Sequence, residues 1–183
     1  RYRDLRRSDR TQSATSRRRG GGRGLSPPTR NTARLVLINQ HECVLLVKYH
    51  ERTPSDPTLT KPMSFWVPPG GDVHEDETFE AAVVREIEEE TGIVLKGDLP
   101  WIWTRDHQLM YEGELRHFHE RYFVARVEAP AKLHNRTDEP IIDARWWKLE
   151  DIEASSETFF PQGLASLLVP VLQNRMADSP IVI

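Results

Sequence analysis

Gly70-Gly71-Asp72-Val73-His74-Glu75-Asp76-Glu77 and, after a short apolar stretch, Arg85-Glu86-Ile87-Glu88-Glu89-Glu90-Thr91-Gly92-Ile93 decide how the rest of the chain is read. Phe79, Val83 and Ile87 recur at i and i+4, an apolar stripe that marks a helix in need of a core. Gly92 ends the run, as a glycine just past a helix C-terminus does. On that helix Glu86, Glu89 and Glu90 are spaced i, i+3, i+4 and share one face, while Glu88 points away. Ala82, Glu86 and Glu90 form one row, so two of the acids continue a line that begins apolar. A solvated surface face would put them on the outer side instead. Three carboxylates about 6 Å apart repel by roughly 2–3 kcal/mol per pair at an effective dielectric near 20. A hard divalent cation removes that cost, and Mg²⁺ or Mn²⁺ prefers carboxylate oxygens. The acid cluster reads as a metal site.

Gly71, Glu77, Arg85-Glu86-Ile87, Glu89-Glu90 and Gly92-Ile93 stand at a spacing that resembles the Nudix signature at every fixed position. Trp66-Val67-Pro68-Pro69-Gly70 is similar to the segment that usually precedes it. Asp76 stands where many members have Gly, and Asp tolerates left-handed backbone. The resemblance is to a single-domain member of the bacterial type, with the substrate subgroup unassigned. It implies an α/β/α sandwich, with a mixed sheet between helices.

The resemblance also implies roles. Glu86, Glu89 and Glu90 match cation ligands, Glu86 doubles as a candidate general base, and the Gly70 carbonyl joins the ligands. Arg85 matches the position that pairs with Glu77 and orients the cluster. A further carboxylate comes from downstream, with Glu139 the first candidate and Glu120 the second. Family substrates are a nucleoside diphosphate linked to another moiety, and water attacks phosphorus in the pyrophosphate. That chemistry asks for placement and charge neutralisation. Tyr111 lies where diadenosine-polyphosphate hydrolases of the family tend to carry Tyr. Tyr111 and Trp66, with Trp101, Trp103 and Trp147, are candidates to stack on a base, although each aromatic taken singly is more often core.

A chain of 183 residues supports one domain with a sizeable core. It has no run of eighteen apolar residues, so no membrane-spanning helix is expected. The single Cys43 lies in an apolar, strand-like run and reads as core. One cysteine excludes an intramolecular disulfide framework and fits a reducing compartment, so a cytoplasmic location is expected. The net charge of -3 hides an asymmetry: residues 1–30 carry ten Arg and two Asp, which leaves -11 on residues 31–183.

Residues 1–30 are rich in Arg, Ser and Gly and cannot bury enough surface to offset their ordering entropy, so they read as a disordered basic tail. An inert tail, an arm for nucleic acid or another polyanion, and a targeting segment are the three readings of it. The domain is expected over 31–175, with 176–183 as a C-terminal tail. Segments 33–38 and 43–49 read as a hairpin, 50–64 as a proline-bearing loop, and 65–67 as a short strand feeding Gly70-Gly71. The glycine pair permits close backbone approach to an ion or phosphate. Residues 99–104 and 121–128 read as strands. His117 and His119 lack a third nitrogen or sulfur partner for zinc, so 116–120 reads as strand with polar edges. Residues 144–149 are a further strand and 161–174 an amphipathic helix with Pro170 inside. Two other functions remain: a non-catalytic nucleotide-sensing module, and an RNA-end pyrophosphohydrolase using the basic tail. Nothing in the sequence excludes a homodimer.

Overall fold

The structure is a computed structural model and describes residues 26–51, 63–128 and 141–183. Its centre is β1 (Thr29–Asn39), whose run Leu35-Val36-Leu37-Ile38 is fully buried. A strand reads as continuously apolar when both its faces are covered. β1 pairs in parallel with β6 (Glu114–Val127) along its whole length, and in antiparallel fashion with β2 (Val44–His50) at Ile38↔Val44. Past that point β4 (Gly70–Asp72) takes the edge of β1. β2 also pairs with β3 (Ser64–Val67) and β7 (Ile141–Trp147). β5 (Trp101–Tyr111) forms a hairpin with β6. The sheet order is β3-β2-β1-β6-β5 with β8 (Ile181–Val182) outermost, parallel to β5.

The 2-residue period of β1 splits the core in two. Ala33, Leu35 and Leu37 face α1 (Phe79–Thr91), where Ala82, Val83 and Ile87 meet them with Leu45 and Phe123. Val36 and Ile38 face α3 (Leu164–Leu172) and α2 (Leu149–Ala154), packing with Trp66, Trp147, Leu168 and Ile152. Fully burying one such aliphatic side chain contributes about 1.5–3 kcal/mol. The expected α/β/α sandwich with a mixed sheet is what forms.

α1 starts at Thr78, whose hydroxyl accepts from the Ala81 amide, and stops at Gly92, whose φ of 74° is left-handed. Asp76 also lies in left-handed backbone, at φ 67°. The strand expected over 99–104 runs on to Tyr111, and 116–120 joins 121–127 in one strand. The helix expected over 161–174 is shorter, Leu164–Leu172, with Pro170 inside it.

Two expected boundaries move. Thr29 and Arg30 belong to β1 rather than to a tail, because their strand partners are His117 and Phe118. Residues 181–182 pair with β5 and Ile183 donates to the Thr104 carbonyl, so the C-terminus is held by backbone bonds. The basic stretch through residue 25 lies outside the described residues.

Candidate metal and substrate site

The acid cluster is assembled by pressing α1 onto β4. In the β1–β4 ladder Gly70 lies opposite Arg34 and Gly71 opposite Ala33. Gly70 has φ 132°, and a Cβ there would stand 2.1 Å from the Ala33 carbonyl oxygen. A Cβ on Gly71 would meet the Glu86 carboxylate at 2.6–2.8 Å. Gly70 is therefore required for β4 to lie against β1, and Gly71 leaves the space that the Glu86 carboxylate fills. Glu90, one helical turn on, accepts from the Gly70 amide at 2.9 Å and from the Tyr49 hydroxyl at 2.9 Å. Glu86 and Glu90 are buried at 8% and 4% exposure, whereas Glu88 and Glu89 are exposed. Burial pushes the Glu90 carboxyl up to about 7; Arg34, the Tyr49 hydroxyl and the Gly70 amide pull it down, and Glu86 adds to the rise. This buried acid lacks enough positive charge around it.

Arg85 ties the cluster together. Its Nε and Nη2 fork onto both Glu77 oxygens at 3.0 Å each. Nη1 reaches Glu86 at 2.6 Å and Glu89 at 3.3 Å, and Nη2 also donates to the Asp72 carbonyl at 2.9 Å. The Arg85 hydrogen bonds hold the Glu77 carboxyl down at about 2 against the opposing effect of burial, with help from the His74 amide and nearby charge. Glu77 and Arg85 are paired as the resemblance implies.

The donor set fits a hard cation. Glu86, Glu89, Glu90 and the Gly70 carbonyl offer only oxygens, the preference of Mg²⁺ or Mn²⁺. Among the described residues no three acids or histidines are already converged at ligand distances. Arg85, Tyr49 and the Gly70 amide hold the acid oxygens, so a cation competes with Arg85 for Glu86 and Glu89. The Gly70 carbonyl accepts from Arg34 Nη1 at 2.8 Å and keeps a second lone pair.

Four site expectations change or fall outside. Glu139 lies outside the described residues. Glu120 is not with the helix acids: it lies on the α3 side of β6, 4% exposed. It accepts from Thr32 (3.2 Å), Tyr122 (2.9 Å) and Arg105 (3.1 Å), with Arg34 at 3.6 Å and His107 at 3.3 Å. Burial pushes its carboxyl up, but His107, Arg34 and Arg105 outweigh burial and hold it at about 2. A carboxylate so saturated makes a poor base. Trp66 is 1% exposed, its ring against Trp147 at 5.0 Å, so it cannot offer a face to a base. Tyr111 has the Arg30 guanidinium 4.0 Å above its ring and Phe118 at its edge, and Arg30 in turn forks onto Asp72. One ring face of Tyr111 is thus already covered.

Several residues were missed from sequence. Tyr49 touches Glu90 and Arg34 holds the Gly70 carbonyl beside it, and Arg34 was the visible signal, a lone cation within the apolar run of residues 33–38. Arg105, His107, Phe65 and Phe160 carried no local mark. His117 and His119 both meet Asp106 at 3.0 Å, a hydrogen-bonded trio on the strand face. A depression of about 550 Å³ by His41, Glu42 and Lys148 lies beyond the other end of β1 from Arg34.

A mixed sheet between helices, with buried acids pressed on a glycine turn, defines a protein built to handle charge at that turn. The NUDIX domain model matches residues 28–167. The chain belongs to the Nudix family and carries the complete signature of its pyrophosphohydrolases. The fold is shared with solved structures at low identity. The MutT protein from Methanosarcina mazei Go1 is 22% identical over 82% of this chain and 96% of that one, with TM-score 0.57. The MutT NUDIX hydrolase from Burkholderia pseudomallei is 24% identical over 77% and 98%, with TM-score 0.57. The NUDIX domain of Shewanella oneidensis NrtR, solved with ADP ribose, is 20% identical over 80% and 89%, with TM-score 0.56. No helix among the described residues is long and apolar enough to cross a membrane.

Proposed function

We propose that this Nudix pyrophosphohydrolase is a divalent-cation-dependent hydrolase of a nucleoside diphosphate linked to another moiety, with Mg²⁺ or Mn²⁺ held by Glu86, Glu89, Glu90 and the Gly70 carbonyl. The observation that carries this reading is the pair Glu86 and Glu90, both buried against Gly70-Gly71, with burial pushing the Glu90 carboxyl up to about 7 despite its hydrogen bonds. When bound, the cation neutralises non-bridging phosphate oxygens and acidifies the attacking water.

The chain's own groups do the rest. Glu77 and Asp72 fix the Arg85 plane, and Arg85 sets the rotamers of Glu86 and Glu89. Tyr49 and the Gly70 amide fix Glu90. Water's oxygen bonds to one phosphorus, the bridging P–O bond breaks, and one water proton passes to Glu86 or to Glu139, leaving two phosphates. A pure sensing module has no need for all three helix acids.

The test is a panel of nucleoside diphosphate derivatives incubated with the full chain and Mg²⁺ or Mn²⁺, with phosphate products measured. Hydrolysis of at least one compound, abolished by chelator and restored by either metal, is expected. Binding without turnover across the panel would favour the sensing module instead.

A further inference from the structure

Next to the acid cluster a chain of side-chain contacts closes into a ring. Glu90 holds the Tyr49 hydroxyl, and the Tyr49 and Phe65 rings stack at 6.1 Å. Phe65 meets the edge of Phe160 at 5.3 Å, and Arg105 lies 5.9 Å from the Phe160 centroid. Arg105 holds Glu120, Glu120 draws in Arg34, and Arg34 donates to the Gly70 carbonyl, whose own amide holds Glu90. One side of this ring is aromatic, and the other carries two guanidinium groups.

Donors on the second side outnumber the acceptors that meet them. Arg34 and Arg105 both reach the Glu120 carboxylate, and Arg34 also faces the charge of Glu90. Arg34 spends Nη1 on the Pro68 and Gly70 carbonyls and points Nε at Glu120, and Arg105 spends Nη1 on Glu120. Among the described residues Nη2 of Arg34, and Nε and Nη2 of Arg105, have no acceptor, although each guanidinium carries five donors. The two side chains are 18% and 20% exposed, buried enough to strengthen charge and open enough to be reached. A planar fork held by a carboxylate from behind is pre-oriented for a phosphate in front.

We propose that Arg34 and Arg105, clamped on Glu120, bind a phosphomonoester of the substrate distinct from its scissile pyrophosphate. The preferred substrates are then nucleoside diphosphate derivatives that carry such a group. This rests on the hydrolase reading above, and the aromatic side receives the organic part between the two anions.

The full chain tests this with substrate pairs that differ by one phosphomonoester: NADPH against NADH, and coenzyme A against its dephospho form. At least one pair should show a tenfold or larger advantage in kcat/KM for the phosphorylated member. Arg105→Gln should bring that ratio close to one, and Arg105→Lys should keep part of it. Ratios near one for every pair in wild type, or a ratio unmoved by Arg105→Gln, would overturn the proposal. A binding arm without metal separates this failure from failure of the hydrolase reading. In chelator, 2′,5′-ADP or 3′,5′-ADP should bind at least tenfold more tightly than 5′-AMP, and Arg105→Gln should remove the difference. Equal binding of the three ligands to wild type means that Glu120 alone satisfies the two cations, and the receptor does not exist.

Discussion

Two polar clusters meet at the Gly70 turn, and they are imbalanced in opposite directions. On the α1 side Glu77, Glu86 and Glu89 gather around Arg85 and Glu90 lies beside them on the Gly70 amide, so acids outnumber the base. On the α3 side Arg34, Arg105 and His107 gather around Glu120, so donors outnumber the acid. The proton affinities of their buried acids separate them in the same way. Glu90 is pushed up to about 7, whereas Glu120 is held at about 2 at a similar depth of burial. Burial penalises both alike, so the neighbours make the difference. A half-buried cluster that is short of one sign is poised for an ion of that sign, a cation on one side and an anion on the other.

The largest expected effect is on folding at Glu120. Glu120→Gln leaves Arg105 without a carboxylate among the described residues and Arg34 with Glu90 alone, and should cost about 3–5 kcal/mol in chemical denaturation. Its depressed pKa gives the sign with pH. The stabilisation by Glu120 is whole above the unfolded value of 4.5 and fades as pH falls toward about 2. A variant as stable as wild type at pH 7 would mean that the α3-side cluster is loosely held, and that the two clusters do not differ as described.

Activity should show the next effect. Glu86→Gln should lower kcat by two orders of magnitude or more, the scale for removal of a preorganised electrostatic element. Exposed Glu88→Gln should leave kcat within a factor of about two, as surface changes do. Arg85→Lys gives a smaller loss, about 10–100-fold, because a point charge cannot fork onto Glu77 and still hold Glu86. Its stability should change little, since Ala82, Val83 and Ile87 secure α1 independently. An Arg85→Lys variant of full activity would show that the acids need no orienting partner.

The α1-side cluster was legible in sequence because one helix and its adjoining turn supply nearly all of it. Helical spacing alone put Glu86 and Glu90 on the buried row and Glu88 outside, as the structure has them. The sandwich and the Glu77–Arg85 pair were legible through the signature. The α3-side cluster was not, because Thr32, Arg34, Arg105, His107, Glu120 and Tyr122 come from three strands whose register no local pattern records. Glu120 consequently looked like a spare acid near the metal, when its depth and its cations give it another role. Trp66 misled for a related reason: it adjoins the glycine turn in sequence, but strand alternation turns its ring into the core against Trp147.

A subtler effect separates the protonation of the two acids. Glu90 has a folded pKa raised above its unfolded value, so its charged form costs stability above pH 7, and this cost vanishes below 4.5. In chelator at pH 8, Glu90→Gln should therefore be more stable than wild type by about 1 kcal/mol, with on the order of 3 kcal/mol as the ceiling. At pH 4.5 the gain should be gone. A loss of stability at pH 8 would mean that the Tyr49 and Gly70 hydrogen bonds outweigh the buried charge.

The most direct measurement is the thermal midpoint during a Mg²⁺ titration of wild type, Glu90→Gln and Glu88→Gln, each starting in chelator. A cation that binds the native state raises the midpoint by mass action. Wild type and Glu88→Gln should rise together along one saturable curve, and Glu90→Gln should rise much less at every concentration. Equal shifts in all three proteins would contradict the account, because the acids on the buried row of α1 would then be no different from the exposed one.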